Sequence, residues 1–221
     1  YDGAVKHTNA LINLVLSPPN PKGVTYRAYQ SSLLSYNRNT ALADALNLRA
    51  DGQCTHLLFL DADVVPQGEY WFTTLLAEMD RTGAAVLGVV VPLKAETAET
   101  STAVHESGAS ARRLTWSEVA LRDDTWTEPG LLVATGCLLI DVRRLWPSRI
   151  TVDPVLRERP VQPIFSMADG LTWTDGRWSA TVEPEDWNFC RQCHATGVAV
   201  WATTAVRVAH MDGGVEWASK V

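Results

Sequence analysis

This sequence predicts an α/β domain built around a mainly parallel central sheet flanked by helices. Three observations point there. Hydrophobic periodicity switches repeatedly between helical and strand-like spacing. Compact apolar runs of strand length alternate with helical stretches, as in crossover-connected strands. The composition, 46% hydrophobic and 20% charged over 221 residues, is that of an ordinary globular domain.

Val5, Leu11, Ile12, Leu14 and Val15 fall largely on one helical face, and Ser17-Pro18-Pro19-Asn20-Pro21 stops that helix. Val24–Tyr29 is a short β-rich run. Ala41, Leu42, Ala45, Leu46 and Leu48 repeat at helical spacing and are closed by Asp51-Gly52. His56–Leu60 reads as a buried strand, Tyr70–Met79 as a helix and Ala84–Val91 as a second buried strand. Lys94–Gly130 is rich in Thr, Ser, Glu and Arg and reads as a long functional loop with one strand-like piece, Arg113–Trp116. Leu131–Asp141 returns to apolar strand character, with a short helix expected near Val142–Trp146. Pro147–Ala180 reads as irregular. Glu185–Thr196 is a final helix with Gly197 at its C-terminal cap, and Val198–Trp201 and Val206–Val208 are closing strands. The whole of 1–221 reads as one domain, with a first half, 1–93, and a second half, 94–221.

Composition removes several function classes. The longest apolar runs, Ala84–Leu93 and Leu131–Ile140, are strand-sized and far short of the roughly 18 residues of a membrane span. Nineteen Lys and Arg against 25 Asp and Glu leave a net charge of −6, which disfavours non-specific binding to nucleic acid. Arg112, Arg113, Arg157 and Arg159 still offer a local basic strip. Four cysteines are too few for a disulfide scaffold, and the lone Cys190-x-x-Cys193 reads as buried thiols rather than a zinc site. No leader pattern opens the chain, so a cytoplasmic location is expected.

Chemistry concentrates in four places. The strand His56–Leu60 runs into Asp61-Ala62-Asp63 at the edge where open α/β sheets bind ligands. Strand alternation would place both carboxylates on one side, as hard oxygen ligands for Mg²⁺ or Mn²⁺ carrying a diphosphate. Glu185 and Asp186 open the final helix, where they complement its dipole and where one could act as a general base toward an acceptor hydroxyl. His210, just past a strand, is a candidate imidazole ligand for the same metal. Arg38, before Asn39, could pair with phosphate or with a catalytic carboxylate.

In order, Arg38-Asn39, a helix, Thr55–Asp63, Gly136-Cys137-Leu138-Leu139-Ile140, Glu185-Asp186-x-x-Phe189-Cys190, Gly197 and His210 resemble a glycosyltransferase of the GT-A fold. The resemblance is nearest to compact, often phage-encoded glycosyltransferase-like proteins and covers nearly the whole chain. It implies a nucleotide-diphospho-sugar donor and a divalent metal, Mn²⁺ or Mg²⁺. Asp61 would lie near the ribose or metal, Asp63 and His210 would hold the metal, and Asp186 or Glu185 would serve the acceptor. Tyr1, Asp2 and Gly3 would form a nucleotide-docking loop, with Arg38 and Asn39 beside it. The family's first strand would precede Tyr1, so an upstream strand is expected. The cytoplasm would be that of the host if the chain is phage-encoded.

The acceptor stays open between a saccharide, a protein and a hydroxylated DNA base. Trp116, Trp126, Trp173 and Trp178 could stack on sugars or bases. Two other functions compete: a sugar-nucleotide pyrophosphorylase, and a non-catalytic nucleotide-sugar-binding protein. The first normally carries a Gly-rich loop near its start, where this chain offers only Gly3 and Gly23. Lys94–Gly130, lacking periodic apolar anchors, is expected to act as a mobile lid on the acceptor side, loosest at Ser107–Ser110.

Overall fold

The structure is a computed structural model that describes residues 23–30, 32–105, 111–145, 164–174, 176–212 and 215–220. Helix α1 (Leu34–Ala50) buries Arg38, Ala41, Leu42 and Ala45. These lie at i, i+3, i+4 and i+7, one face of a helix. Strand β1 (His56–Leu60) follows, then β2 (Val64–Pro66). Helix α2 (Trp71–Thr82) buries Trp71, Leu75 and Met79 and stops at Gly83, whose φ of 70° is the left-handed cap conformation. The next elements are β3 (Val86–Val89), β4 (Glu99–Val104), β5 (Arg112–Thr115) and the short helix α3 (Trp116–Val119). The last of these opens on a capping box between Thr115 and Glu118. Strands β6 (Thr125–Trp126), β7 (Leu131–Leu132), β8 (Cys137–Asp141), β9 (Ala168–Thr174) and β10 (Arg177–Glu183) lead to helix α4 (Glu185–Ala195). Strands β11 (Val200–Thr203), β12 (Val208–Asp212) and β13 (Val215–Ala218) close the fold.

The central sheet runs β1-β8-β3-β11-β6. Its residues alternate between two apolar layers. Phe59, Val86, Leu138 and Ile140 join Ala41 and Leu42 of α1 and Phe189 and Cys193 of α4, whereas Leu87, Val89, Cys137 and Leu139 join Trp71, Leu75 and Met79 of α2.

The expected mainly parallel sheet is corrected. Strand β3 is buried throughout, as anticipated, whereas β1 is fully buried only at Phe59 and partly buried elsewhere. The two are not neighbours: β8 lies between them and is antiparallel to each. The one parallel pair among the described strands is β3 with β11. Smaller antiparallel sheets, β13-β12-β2, β5-β4-β7 and β10-β9, make up the rest. Apolar runs read alike in either direction, so burial located the strands without revealing how they pair.

Other expectations change too. Val24–Tyr29 has no regular secondary structure. The stretch 94–130 is not an unanchored loop. It contains β4, β5, α3 and β6, and Thr100, Ser101, Thr102, Ala103, Leu114 and Trp116 are buried. Residues 106–110, the expected loosest point, lie outside the described residues, as do Tyr1, Asp2, Gly3 and the helix expected over Val5–Val15. Leu131–Asp141 divides into β7 and β8. The expected helix after Asp141 is a turn in which the Asp141 carboxylate accepts from the Arg143 N–H at 2.9 Å. The second part of the stretch read as irregular is the β9–β10 hairpin, with Thr174 paired to Arg177.

Candidate active site

The site forms where β1 ends. Asp61 is the first residue past the strand, and its N–H donates to the carbonyl of Gly136 at 2.9 Å, while the Val64 N–H donates back to the Asp61 carbonyl at 3.0 Å. The chain therefore turns through Ala62 and Asp63 instead of continuing as a strand, and the two carboxylates take different partners. Asp61 receives a hydrogen bond from Nη2 of Arg38 at 2.8 Å. Asp63 faces Nζ of Lys94 at 2.5 Å and Nε2 of His210 at 3.5 Å, both on its Oδ2. The chain leaves strand geometry between the two carboxylates, so strand alternation does not set their directions. Among the described residues, no group of three His, Cys, Asp or Glu side chains is gathered about a single point.

The glycine before β8 fits this arrangement. A methyl group at Gly136 would sit 3.2 Å from Cγ2 of Val64 and 3.9 Å from Oδ2 of Asp61, so a larger side chain would crowd the turn.

Arg38 is buried and lies between Asp61 and Glu185, with its Nε 3.8 Å from Oε1 of Glu185. Its guanidinium carbon rests 5.2 Å from the ring centre of Phe59. Phe59 meets Phe165 edge to face, and Phe165 stacks on Phe189 at 4.5 Å. Of the two partners anticipated for Arg38, the structure supplies carboxylates. Asn39 is committed elsewhere: its Nδ2 donates to the carbonyl of Phe165 at 2.7 Å, and its Oδ1 accepts from the N–H groups of Ile164 and Phe165 at 3.1 and 2.9 Å. Its oxygen and one of its two amide N–H groups hold backbone, so Asn39 ties the Ile164–Phe165 segment to α1.

Glu185 and Asp186 occupy the first turn of α4, as expected, but differ in setting. Glu185 is buried against Arg38. Asp186 accepts the Trp187 N–H at 2.8 Å. Burial, and then the neighbouring charge of Glu185, push its carboxyl up to about 6, against the pull of the Trp187 and Thr135 N–H groups and of Arg38. A carboxyl poised there exchanges protons near neutrality.

The Asp63 corner is built from β12 and the segment after β3. His210 pairs with Val64 across β12 and β2, and the Met211 N–H donates to the Asp63 carbonyl at 2.7 Å. Nδ1 of His210 lies 2.9 Å from the carbonyl of Pro92. A carbonyl only accepts, so Nδ1 carries the proton, and the ring is fixed with Nε2 toward Asp63. His210, followed by Lys94, holds the Asp63 carboxyl well below the usual carboxylate range despite its partial desolvation.

Lys94 and Thr135 were not singled out from the sequence. Lys94 looked like one cation in a polar stretch, and nothing local marks it as reaching back 31 residues to Asp63. Thr135 contributes a backbone N–H, which no side-chain pattern advertises. The Cys190 and Cys193 thiols are free and buried, which pushes Cys190 up to about 12 and Cys193 well above its ordinary value. They are packing groups. Trp116 and Trp126 are also buried, whereas Trp178 is 67% exposed on β10. Arg112 pairs with Glu118, and Arg113 lies 5.0 Å from the Trp187 ring centre, so these two are engaged within the fold; Arg157 and Arg159 lie outside the described residues.

Beside the Asp63 corner is an open cleft of about 500 Å³. Trp116, Trp217, Glu96, Glu99, Glu216 and Lys220 are among its lining residues.

The chain is similar in fold to A197 from STIV. The two structures superpose with a TM-score of 0.51 over 92% of this chain and 78% of that one, at 16% sequence identity. At that identity the likeness concerns the fold alone. No protein-family model and no curated protein matches the chain. No helix among the described residues is long and apolar enough to cross a membrane.

Proposed function

We propose that this protein is a glycosyltransferase that moves a sugar from a nucleotide-diphospho-sugar to a hydroxyl acceptor, with a divalent cation, Mn²⁺ or Mg²⁺, held at Asp63 and His210. The observation that carries this is the convergence of His210 Nε2 on Asp63 Oδ2, 3.5 Å apart, with the far imidazole nitrogen anchored on Pro92. An imidazole fixed in this tautomer opposite a carboxylate is a donor set suited to Mn²⁺ or Mg²⁺. Two protein ligands leave positions for diphosphate oxygens and water, the usual arrangement for such ions. When bound, the ion supplies charge stabilisation to the departing diphosphate.

The remaining roles belong to side chains of this chain. Asp186 takes the proton from the acceptor hydroxyl as the new glycosidic bond forms, in a reaction that inverts the anomeric centre. Arg38 holds Asp61 and Glu185 in register, which fixes the turn carrying Asp63 relative to the first turn of α4. Asp61, oriented by its hydrogen bond from Arg38, serves the hydroxyls of the donor's ribose in this reading. The cleft beside the corner suits a saccharide acceptor: the half-buried indole of Trp217 can stack on a sugar ring, and Glu96, Glu99 and Glu216 can accept from hydroxyls. Three carboxylates against Lys220 would repel a phosphate backbone, so a DNA acceptor is disfavoured.

The test is a hydrolysis and transfer assay over a panel of nucleotide sugars with Mn²⁺ or Mg²⁺. Metal-dependent turnover in the wild type that is lost in Asp63→Ala supports the assignment. Binding without turnover would instead make the chain a nucleotide-sugar-binding protein, and pyrophosphate release from a nucleoside triphosphate and a sugar phosphate would make it a pyrophosphorylase.

A further inference from the structure

We propose that Lys94 is a resident cation of the Asp63 carboxylate, displaced by the incoming divalent ion, and that its ammonium then serves the diphosphate of the donor. This rests on Asp63 and His210 being the metal-holding pair. Nζ of Lys94 lies 2.5 Å from Oδ2 of Asp63, the same oxygen that His210 Nε2 faces. Lys94 thus neutralises the atom a metal would need.

A lysine ammonium and a divalent ion cannot share one carboxylate oxygen without strong repulsion, so one must leave. Lys94 is free to do so. Its side chain is 31% exposed, its stem is long and flexible, and among the described residues its ammonium makes no other hydrogen bond. Its root is fixed: Pro92 bridges Thr100, its carbonyl holds His210, and the Ser101 N–H donates to Val91 at 2.9 Å. A short swing about this anchor carries the ammonium off Asp63 while keeping it at the same corner. A diphosphate held there is the nearest new anion, and lysine binds phosphate well as a point charge. The segment after β3 would then do two jobs, orienting His210 through Pro92 and exchanging a cation through Lys94.

Manganese affinity, read by electron paramagnetic resonance on the full chain, tests this. So does the affinity of the Mn²⁺-loaded protein for inorganic pyrophosphate, read by calorimetry. Lys94→Met is expected to tighten Mn²⁺ by about fivefold and to weaken pyrophosphate by about fivefold, the upper size of a lost exposed charge contact. Lys94→Gln repeats the measurement with a polar side chain, and Lys94→Arg, which keeps the charge, should stay near the wild type in both. Unchanged Mn²⁺ affinity in the Met and Gln variants overturns the displacement. Unchanged pyrophosphate affinity overturns the transfer to the donor. In either case Asp63→Asn should still abolish Mn²⁺ binding. If Asp63→Asn keeps Mn²⁺ affinity, the metal assignment itself fails, and the role of Lys94 fails with it.

Discussion

Arg38 donates from Nη2 to Oδ1 of Asp61 at 2.8 Å, tying helix α1 to the turn that ends β1. The same guanidinium faces Glu185 at 3.8 Å, so one buried cation joins two acidic elements drawn from distant parts of the sequence. Its Nε is buried and, among the described residues, has no hydrogen-bond partner.

Removing that cation should be costly. Arg38→Ala leaves Glu185 buried beside Asp186 with no counter-charge, and loss of one member of a buried pair costs about 3–5 kcal/mol. Asp61 is 36% exposed and can rehydrate, so an expected loss of about 2–4 kcal/mol in urea unfolding is appropriate. The double variant with Glu185→Gln should lose less than the sum of the two single changes. A loss under about 1 kcal/mol would place the pair among ordinary surface bridges.

Asp186 should set the acidic limb of the pH–rate profile. Its carboxyl lies at about 6 and must be ionised to accept a proton, so turnover should rise as pH passes upward through that value. Asp186→Asn should lower turnover by about 10²–10⁴-fold with little change in donor affinity. Glu185→Gln removes a neighbouring negative charge, so it should move the limb to lower pH. A limb that stays in place in both variants belongs to another group.

The two acidic corners should respond to pH with opposite signs. The raised carboxyl of Asp186 binds its proton more tightly in the folded chain. It therefore stabilises the fold below about pH 3.8, and that contribution is lost as pH rises to about 6. The Asp63 carboxyl is depressed, so its contribution is present above pH 3.8 and is lost as pH falls below that value. Unfolding curves should show Asp186→Asn gaining stability relative to wild type between pH 4 and 7 (about the span of the Asp186 shift). Asp63→Asn should lose stability over the same range.

Gly130 should tolerate no side chain. Its φ is 73°, and a β-carbon there would lie 2.2 Å from the carbonyl oxygen of His105, whose N–H donates to the Gly130 carbonyl at 2.8 Å. Gly130→Ala should cost about 2 kcal/mol or more and lower Tm by roughly 5 °C, by differential scanning calorimetry. An unchanged Tm would mean that the β4–β7 end shifts without penalty.

Local signals carried a good part of this fold. Helix α1 was legible from Ala41, Leu42 and Ala45, helix α4 from the acidic pair and Gly197, and β1 from five apolar or near-apolar residues before Asp61. What failed was whatever depended on partners far along the chain. The antiparallel insertion of β8 joins it to β1 about 80 residues away and to β3 about 50 residues away, and neither run states its partner. Strand β4 was missed because Thr100, Ser101 and Thr102 look solvated, yet Thr100 Oγ1 donates to the Leu114 carbonyl at 3.0 Å and the Ser101 hydroxyl accepts the Val91 N–H at 3.1 Å. The β9–β10 hairpin did carry a cue, the Asp175-Gly176 pair between β-rich runs. At the site, Asp63 and His210 do meet, while the role of Lys94 depends on a contact across 31 residues.

The role of Asp63 is tested most directly by nucleotide-sugar turnover measured against Mn²⁺ concentration in the wild type and in Asp63→Ala, with folding of both checked by circular dichroism. The expected result is saturable, Mn²⁺-dependent turnover in the wild type and a fall of at least about 10²-fold in the folded variant. Equal turnover in the two proteins, or wild-type turnover that is indifferent to divalent ions, would contradict it.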